Sequence, residues 1–208
     1  MEKPWLLPPE KFEGTVMNND ADLLFEHAAR GNVEEVLQFI EGQSPLVLKD
    51  ALDAAVENGQ LACVEVLLPL CPNANRYTLW TGCYHGYAEV VGALLAHGLT
   101  VKDELLVCLE KEHWACAHTL LPYCSDQIVA DTWIELFASD HVRDTETACG
   151  VLLDHRSVAQ VWSAVCGRER SDKQQALRVL DNLMAAEQKE VLLEHIEDSG
   201  AARTHRKL

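Results

Sequence analysis

Apolar positions along this chain recur in a fixed phrase. Ala62-Cys63-Val64-Glu65-Val66-Leu67-Leu68-Pro69-Leu70-Cys71 returns as Ala115-Cys116-Ala117-His118-Thr119-Leu120-Leu121-Pro122-Tyr123-Cys124, with Ala, Cys, Leu, Leu, Pro and Cys in register. A looser copy, Ala88-Glu89-Val90-Val91-Gly92-Ala93-Leu94-Leu95, lies midway between them. The period is therefore half of the Cys63-to-Cys116 interval, about 26 to 27 residues, a spacing that marks a stacked repeat.

Aligning the copies on their paired apolar residues predicts one unit four times. Phe39-Ile40, Leu67-Leu68, Leu94-Leu95 and Leu120-Leu121 end a second helix. Ahead of each pair stands a turn position, filled by Gly31, Gly59, Gly86 and Glu112. Glycine suits a left-handed helix C-cap, so Glu112 is expected to be strained or to use another turn. Each turn is preceded by a leucine (Leu24, Leu52, Leu79, Leu105) and, two residues earlier, by Asp22, Asp50, Tyr77 or Asp103. The three aspartates are N-cap types, which predicts short first helices starting there. Small residues between, Ala28, Ala55, Gly82 and Cys108, let neighbouring helices approach closely.

The pattern resembles the ankyrin repeat. Glu26-His27-Ala28-Ala29-Arg30-Gly31-Asn32, Ala55-Val56-Glu57-Asn58-Gly59-Gln60 and the run from Gly86 to Leu95 look like that family's Ala-Ala-x-x-Gly-His and Val-Val-x-Leu-Leu segments, over roughly residues 20 to 124. The family's Thr-Pro-Leu-His opening is absent, and the period falls short of 33 by the residues that would build a projecting hairpin. The resemblance implies an all-α, ankyrin-like solenoid of about six helix pairs, with N- and C-terminal caps and the hairpin fingers trimmed or lost. It also implies protein binding, with the first helices lining a concave face.

Beyond residue 125 the period loosens. Asp131 to Phe137 suits a first helix and Thr145 to Leu153 a second, with an insertion near Asp140 to Asp144. Ser157 to Cys166 and Asp172 to Ala185 form another pair, with an insertion at Arg168 to Ser171. Glu187 to Asp198 reads as a last amphipathic helix with Val191, Leu192 and Ile196 on one face, ended by Ser199-Gly200. The expected organisation is one continuous domain without a linker: a capping arm over 1–19, four repeats over 20–124, degenerate repeats and a cap helix over 125–200, and a disordered basic tail over 201–208. The arm holds Trp5 and several prolines. Its Leu6-Leu7-Pro8-Pro9-Glu10 faintly resembles an F-box opening, but no apolar helical run follows, and it does not read as a signal peptide.

Charge changes the picture of the partner. Against 17 Lys and Arg stand 33 acids, a net charge of −16. Phosphate backbones and anionic lipid need basic surface, so neither nucleic acid nor membrane is expected as a partner. No apolar run approaches the ~18 residues that would span a bilayer. A folded protein with a basic, apolar-edged patch fits the charge better. Eight cysteines, none in a Cys-x-x-Cys, read as reduced core thiols in a cytoplasmic, reducing compartment. Delivery into a host cell is compatible with that reading. Zinc on Cys71 or Cys124 is disfavoured, and no metal or cofactor is expected.

No nucleophile elbow, phosphate loop, zinc-protease helix or dinucleotide fingerprint is present, so no catalytic residues are assigned. A Cys116 nucleophile with His113 or His118 reads more simply as a core thiol. The closing Arg206-Lys207-Leu208 departs from a peroxisomal ending in its first residue. Aromatics are more suggestive: Tyr77, Trp80 and Tyr84 share one first helix and are candidate interface anchors, with Trp133 and Trp162 read as mostly buried. Asp53, Glu104 and Glu135 would make the same face negative. The expected function is a non-catalytic protein-binding module acting as adaptor, scaffold or stoichiometric inhibitor. Rival readings are an enzyme with a site in the loops of 125–185, holding His141, Arg143, Arg168, Glu169 and Arg170, or a structural subunit of an assembly.

Overall fold

A computed structural model of the chain describes residues 19–138, 141–154, 156–169 and 171–204, with the side chains of 19 and 191–204 excepted. Outside them lie the capping arm with Trp5, Asp140, His155, Arg170 and the final Arg206-Lys207-Leu208. Among the described residues there are twelve α-helices and no strand. They are α1 (Asn19–Arg30), α2 (Val33–Phe39), α3 (Pro45–Glu57), α4 (Leu61–Leu67), α5 (Arg76–His85) and α6 (Ala88–Ala96). Then follow α7 (Glu104–Glu110), α8 (Trp114–Leu120), α9 (Asp126–Ala138), α10 (Thr145–Leu153), α11 (Val158–Cys166) and α12 (Gln174–Thr204).

Two compact units meet in sequence at Asn73 and Ala74. Within the first, α1 packs on α2 and α3, α3 on α4, and α2 on α4. Within the second, the first helices stack as α5 on α7 on α9 on α11, and the second helices as α6 on α8 on α10. Helix α12 closes against α11 and α9. This is the all-α, paired-helix repeat that the periodicity predicts, joined by short loops.

The turns explain why the repeat is so regular. Gly31, Gly59 and Gly86 adopt φ of +80°, +69° and +83°, and Glu112 takes the same left-handed conformation at +59°. All four close the same pair of bonds. The amide after the turn residue reaches back to His27, Ala55, Gly82 and Cys108 carbonyls at 2.8–3.1 Å, and the turn residue's own amide reaches Ala28, Val56, Cys83 and Leu109. That is a Schellman cap, which satisfies the last carbonyls of each first helix. Glu112 thus keeps the turn and accepts the strain, since a Cβ in this region costs about 1–2 kcal/mol.

Burial follows the repeat. Leu24, Leu52, Leu79 and Leu105 are all fully buried, as are Ala28, Ala55 and Cys108 between them. The two copies of Leu-Leu-Pro-x-Cys form equivalent single 3₁₀ turns, Leu68–Leu70 and Leu121–Tyr123, each handing the chain to a buried cysteine. Cys71 and Cys124 amides close those turns on Leu68 and Leu121 at the same 3.1 Å.

Helix starts depart from expectation. Asp22 and Asp50 lie inside α1 and α3, and Tyr77 inside α5; among the four predicted cap positions, Asp103 alone stands at an N-cap. The observed starts use stronger signals. Ser44 caps α3 by accepting from the Val47 amide, with Pro45 at the first helical position. Asn75 caps α5 by accepting from Tyr77 at 2.9 Å. At the other end, α12 is one helix of 31 residues in place of two, running through Ala185–Glu187 and Ser199-Gly200 without a break. The predicted insertions do fall between α9 and α10 and between α11 and α12.

Candidate partner-binding face

Helix α5 carries its aromatics at i, i+3 and i+7, a spacing that places them on one face. Tyr77 is 59% exposed and Tyr84 38%, with Trp80 half-buried between them. The rings form a row. Tyr77 and Trp80 stack with centroids 6.2 Å apart at 15°, and Trp80 and Tyr84 at 4.8 Å and 23°. His85 meets Tyr84 edge-on at 5.4 Å, and the Lys111 ammonium stands 4.4 Å over the Tyr84 ring. His113 donates its Nε2 proton to the Tyr84 carbonyl at 3.1 Å, which ties the next turn to the end of the row. Stacking fixes the rotamers in advance, so a partner that lands here orders little side-chain entropy.

The start of α5 is anchored to the start of α7. Arg76 donates Nε to Glu104 at 2.7 Å and Nη2 to Asp103. Glu104 also accepts from the Lys102 amide at 2.6 Å and is fully buried. It is therefore not one of the acids of an exposed face, as its sequence position suggested, but half of a buried ion pair. Asp53 lies in the first unit and is held by Lys49 one helical turn earlier. Glu135 is half-buried on α9 and lines a cleft of about 460 Å³ between α7 and α9.

That cleft was not foreseen. Leu106 and Ile128 contribute apolar wall, and Asp103, Asp131, Thr132, Glu135, Lys102 and Arg168 contribute polar groups. Arg168 comes from the loop after α11 and grips Asp131 with two bonds, Nε at 2.7 Å and Nη2 at 2.6 Å. Sequence reasoning had the loop and the arginine, but its partner lies 37 positions away on another helix. Residues 66–88 contain no Asp or Glu, although the whole chain has 33. The aromatic helix is thus neutral to weakly basic, and the acids of this unit's first-helix face sit on α7 and α9.

The cysteines belong to the packing. Cys63, Cys71, Cys83, Cys108, Cys116 and Cys124 are buried, Cys149 and Cys166 are half-buried, and all are free thiols. Burial pushes Cys71 and Cys149 up to about 11 and Cys124 to about 12. Cys108 shares hydrogen bonds with Cys116 and Cys83, which raise its own value and lower that of Cys116. The drawn Cys116–histidine pair has no geometric support: His113 is committed to Tyr84 and His118 to Asp154, at 3.0 Å. Trp133 is fully buried with its indole N–H directed to the Ala176 carbonyl at 3.4 Å, and half-buried Trp162 donates to Asp181 at 2.9 Å. Of the loop residues behind the enzyme reading, Arg168 is engaged in holding α9, and His141 and Arg143 are exposed.

No helix among the described residues is long and apolar enough to cross a membrane. No protein-family model and no curated protein matches the chain. Among solved structures it is similar to the crystal structure of the human ASB11 ankyrin repeat domain, at 16% identity over 76% of this chain and 82% of that one, with a TM-score of 0.48. The repeat architecture described above rests on the chain's own turns, burial and helix packing.

Proposed function

We propose that this chain is a non-catalytic protein-binding module that engages a folded partner through the first-helix face of its second unit. The observation that carries the reading is the exposed, pre-stacked row of Tyr77, Trp80 and Tyr84 on α5. Large aromatics that are half open to water, yet held in one rotamer by their neighbours, have the chemistry of interface anchors. The chain's −16 charge draws a basic partner from a distance, and the acid-free α5 receives that partner's apolar edge. Adaptor, scaffold and stoichiometric inhibitor are the roles open to such a module. Its free thiols suit a reducing, cytoplasmic compartment.

Photo-crosslinking tests this directly. Replacing Tyr77 by benzoylphenylalanine and irradiating in native lysate should yield a discrete adduct with one protein. The same group at Glu89, exposed on α6, should not. Adducts from Glu89 and none from position 77 would move the interface off the first helices.

A further inference from the structure

The repeat positions that hold Tyr77, Trp80 and Tyr84 on α5 carry a different chemistry in the first unit. Counted from the buried leucine of each first helix, they are Asp22, Phe25 and Ala29 on α1, and Asp50, Asp53 and Glu57 on α3. We infer that this α1–α3 face docks a basic amphipathic helix of a partner protein, an assignment that rests on the protein-binding reading and adds a second surface to it.

Two large apolar side chains stand open to water on these packed helices. Phe25 is 50% exposed on α1, and Leu46 is 66% exposed in the first turn of α3. Neither fills the core, which Leu24 and Ala28 supply from α1 and Leu48, Ala51, Leu52, Ala54, Ala55 and Val56 from α3. Leu46 leads a stripe whose other members are Asp50, Asp53 and Glu57, at i, i+4, i+7 and i+11 along α3. One apolar anchor and three carboxylates therefore share a side of that helix.

The sign of the partner follows from what remains after the internal pairs are made. Helices α1 and α3 carry six acids and only two bases, Arg30 and Lys49. Arg30 is held by Glu26, and Lys49 by Asp53. Asp22, Asp50 and Glu57 are exposed and make no ion pair with any described residue. Their surplus charge favours a cationic partner and rejects an acidic one, while Phe25 and Leu46 supply the apolar contact. From Leu46 to Glu57 the stripe rises about 16 Å. A helix laid along it repeats the same spacing, so an apolar edge meets the anchors while lysines or arginines flank it toward the acids.

Amide-resolved NMR of the full chain tests the face with two synthetic helical peptides, one of leucine, alanine and lysine and one with glutamate in place of lysine. The lysine peptide should shift amides of 22–29 and 46–57 saturably, and the glutamate peptide should not. Phe25→Ser should weaken the lysine peptide by about tenfold. Asp50→Asn with Glu57→Gln should weaken it by about fivefold. Glu187→Gln with Glu190→Gln removes the same charge from exposed positions of α12 and should leave the affinity unchanged. Equal binding of the glutamate peptide, or equal weakening by the α12 variant, would overturn the assignment. So would shifts of these amides with protein concentration alone, which give the face to a second copy. Perturbation of amides in 1–18 by Phe25→Ser would give it to the chain's own N-terminal segment, with the same result. The Tyr77 crosslink reads a different unit: if it forms while the peptide fails, this face falls and the binding module stands, and its loss alone removes the aromatic row and leaves this face.

Discussion

Arg76 and Glu104 form an ion pair in which the carboxylate is fully buried and the guanidinium is 44% exposed, with Nε and Oε1 2.7 Å apart. The pair joins the first turn of α5 to that of α7 and so sets the register of two neighbouring repeats. Because Glu104 is also bonded to the Lys102 amide, its charge is compensated from two sides. Removing Arg76 leaves a buried carboxylate with one neutral donor, which is the costly direction. Arg76→Ala should destabilise the second unit by about 3 kcal/mol, the low end for a buried pair, because Arg76 itself is partly solvated. Adding Glu104→Leu to Arg76→Ala should recover a large part of that loss. Denaturant unfolding of the two variants measures it, and a double mutant no better than the single would contradict the pair's role.

Glu112 holds a left-handed turn that glycine occupies in the three other copies. Glu112→Gly should relieve about 1–2 kcal/mol of Cβ strain. The added freedom of the unfolded chain offsets part of this. A net gain of about 0.5–1 kcal/mol is expected, read as a raised denaturation midpoint. A loss of stability would mean that the Glu112 side chain contributes more than its backbone costs.

The thiols predict a falling stability at alkaline pH. Burial raises Cys71, Cys124 and Cys149 in the folded chain, to about 11 to 12, while the unfolded chain ionises near the ordinary value of 9.0. Below that ordinary value both states hold their protons and the full stability is present. As pH rises above it, the unfolded state loses protons first, so stability declines up to the folded values. At pH 10 the loss is on the order of 1 kcal/mol per buried thiol. The combined Cys71→Ala, Cys124→Ala variant should show a shallower decline between pH 8 and pH 10. An unchanged slope would assign the decline to other groups.

The repeat itself is testable at its two most similar points. Leu67 and Leu120 occupy the same position in the duplicated phrase and are both fully buried. Leu67→Asp and Leu120→Asp each bury an unpaired carboxylate in a close-packed core, a change of more than about 4 kcal/mol. Each should abolish the cooperative thermal transition of the unit that contains it, and a wild-type melting curve for either would contradict the alignment.

What was readable in the sequence is what short-range chemistry fixes. Gly31, Gly59 and Gly86 announce left-handed caps, and the leucine placed ahead of each is buried because one helical face must be. Helix starts were misplaced because Asp22 and Asp50 are acceptable caps that stronger signals upstream, such as Ser44-Pro45, pre-empt. The break expected at Ser199-Gly200 did not occur: glycine in a helix costs only about 1 kcal/mol against alanine. In the candidate face, the aromatics of α5 were legible from their spacing. Glu104 was not, since its burial depends on Arg76, 28 positions earlier, and neither was the cleft, whose Arg168–Asp131 clamp joins residues on separate elements.

The most direct measurement is capture of partners from native lysate by the wild-type chain and by the Trp80→Ala, Tyr84→Ala variant, with bound proteins identified and quantified by mass spectrometry. The account predicts a stoichiometric basic protein retained by the wild type and lost by a variant whose circular dichroism is unchanged. Equal retention by the folded variant would contradict it.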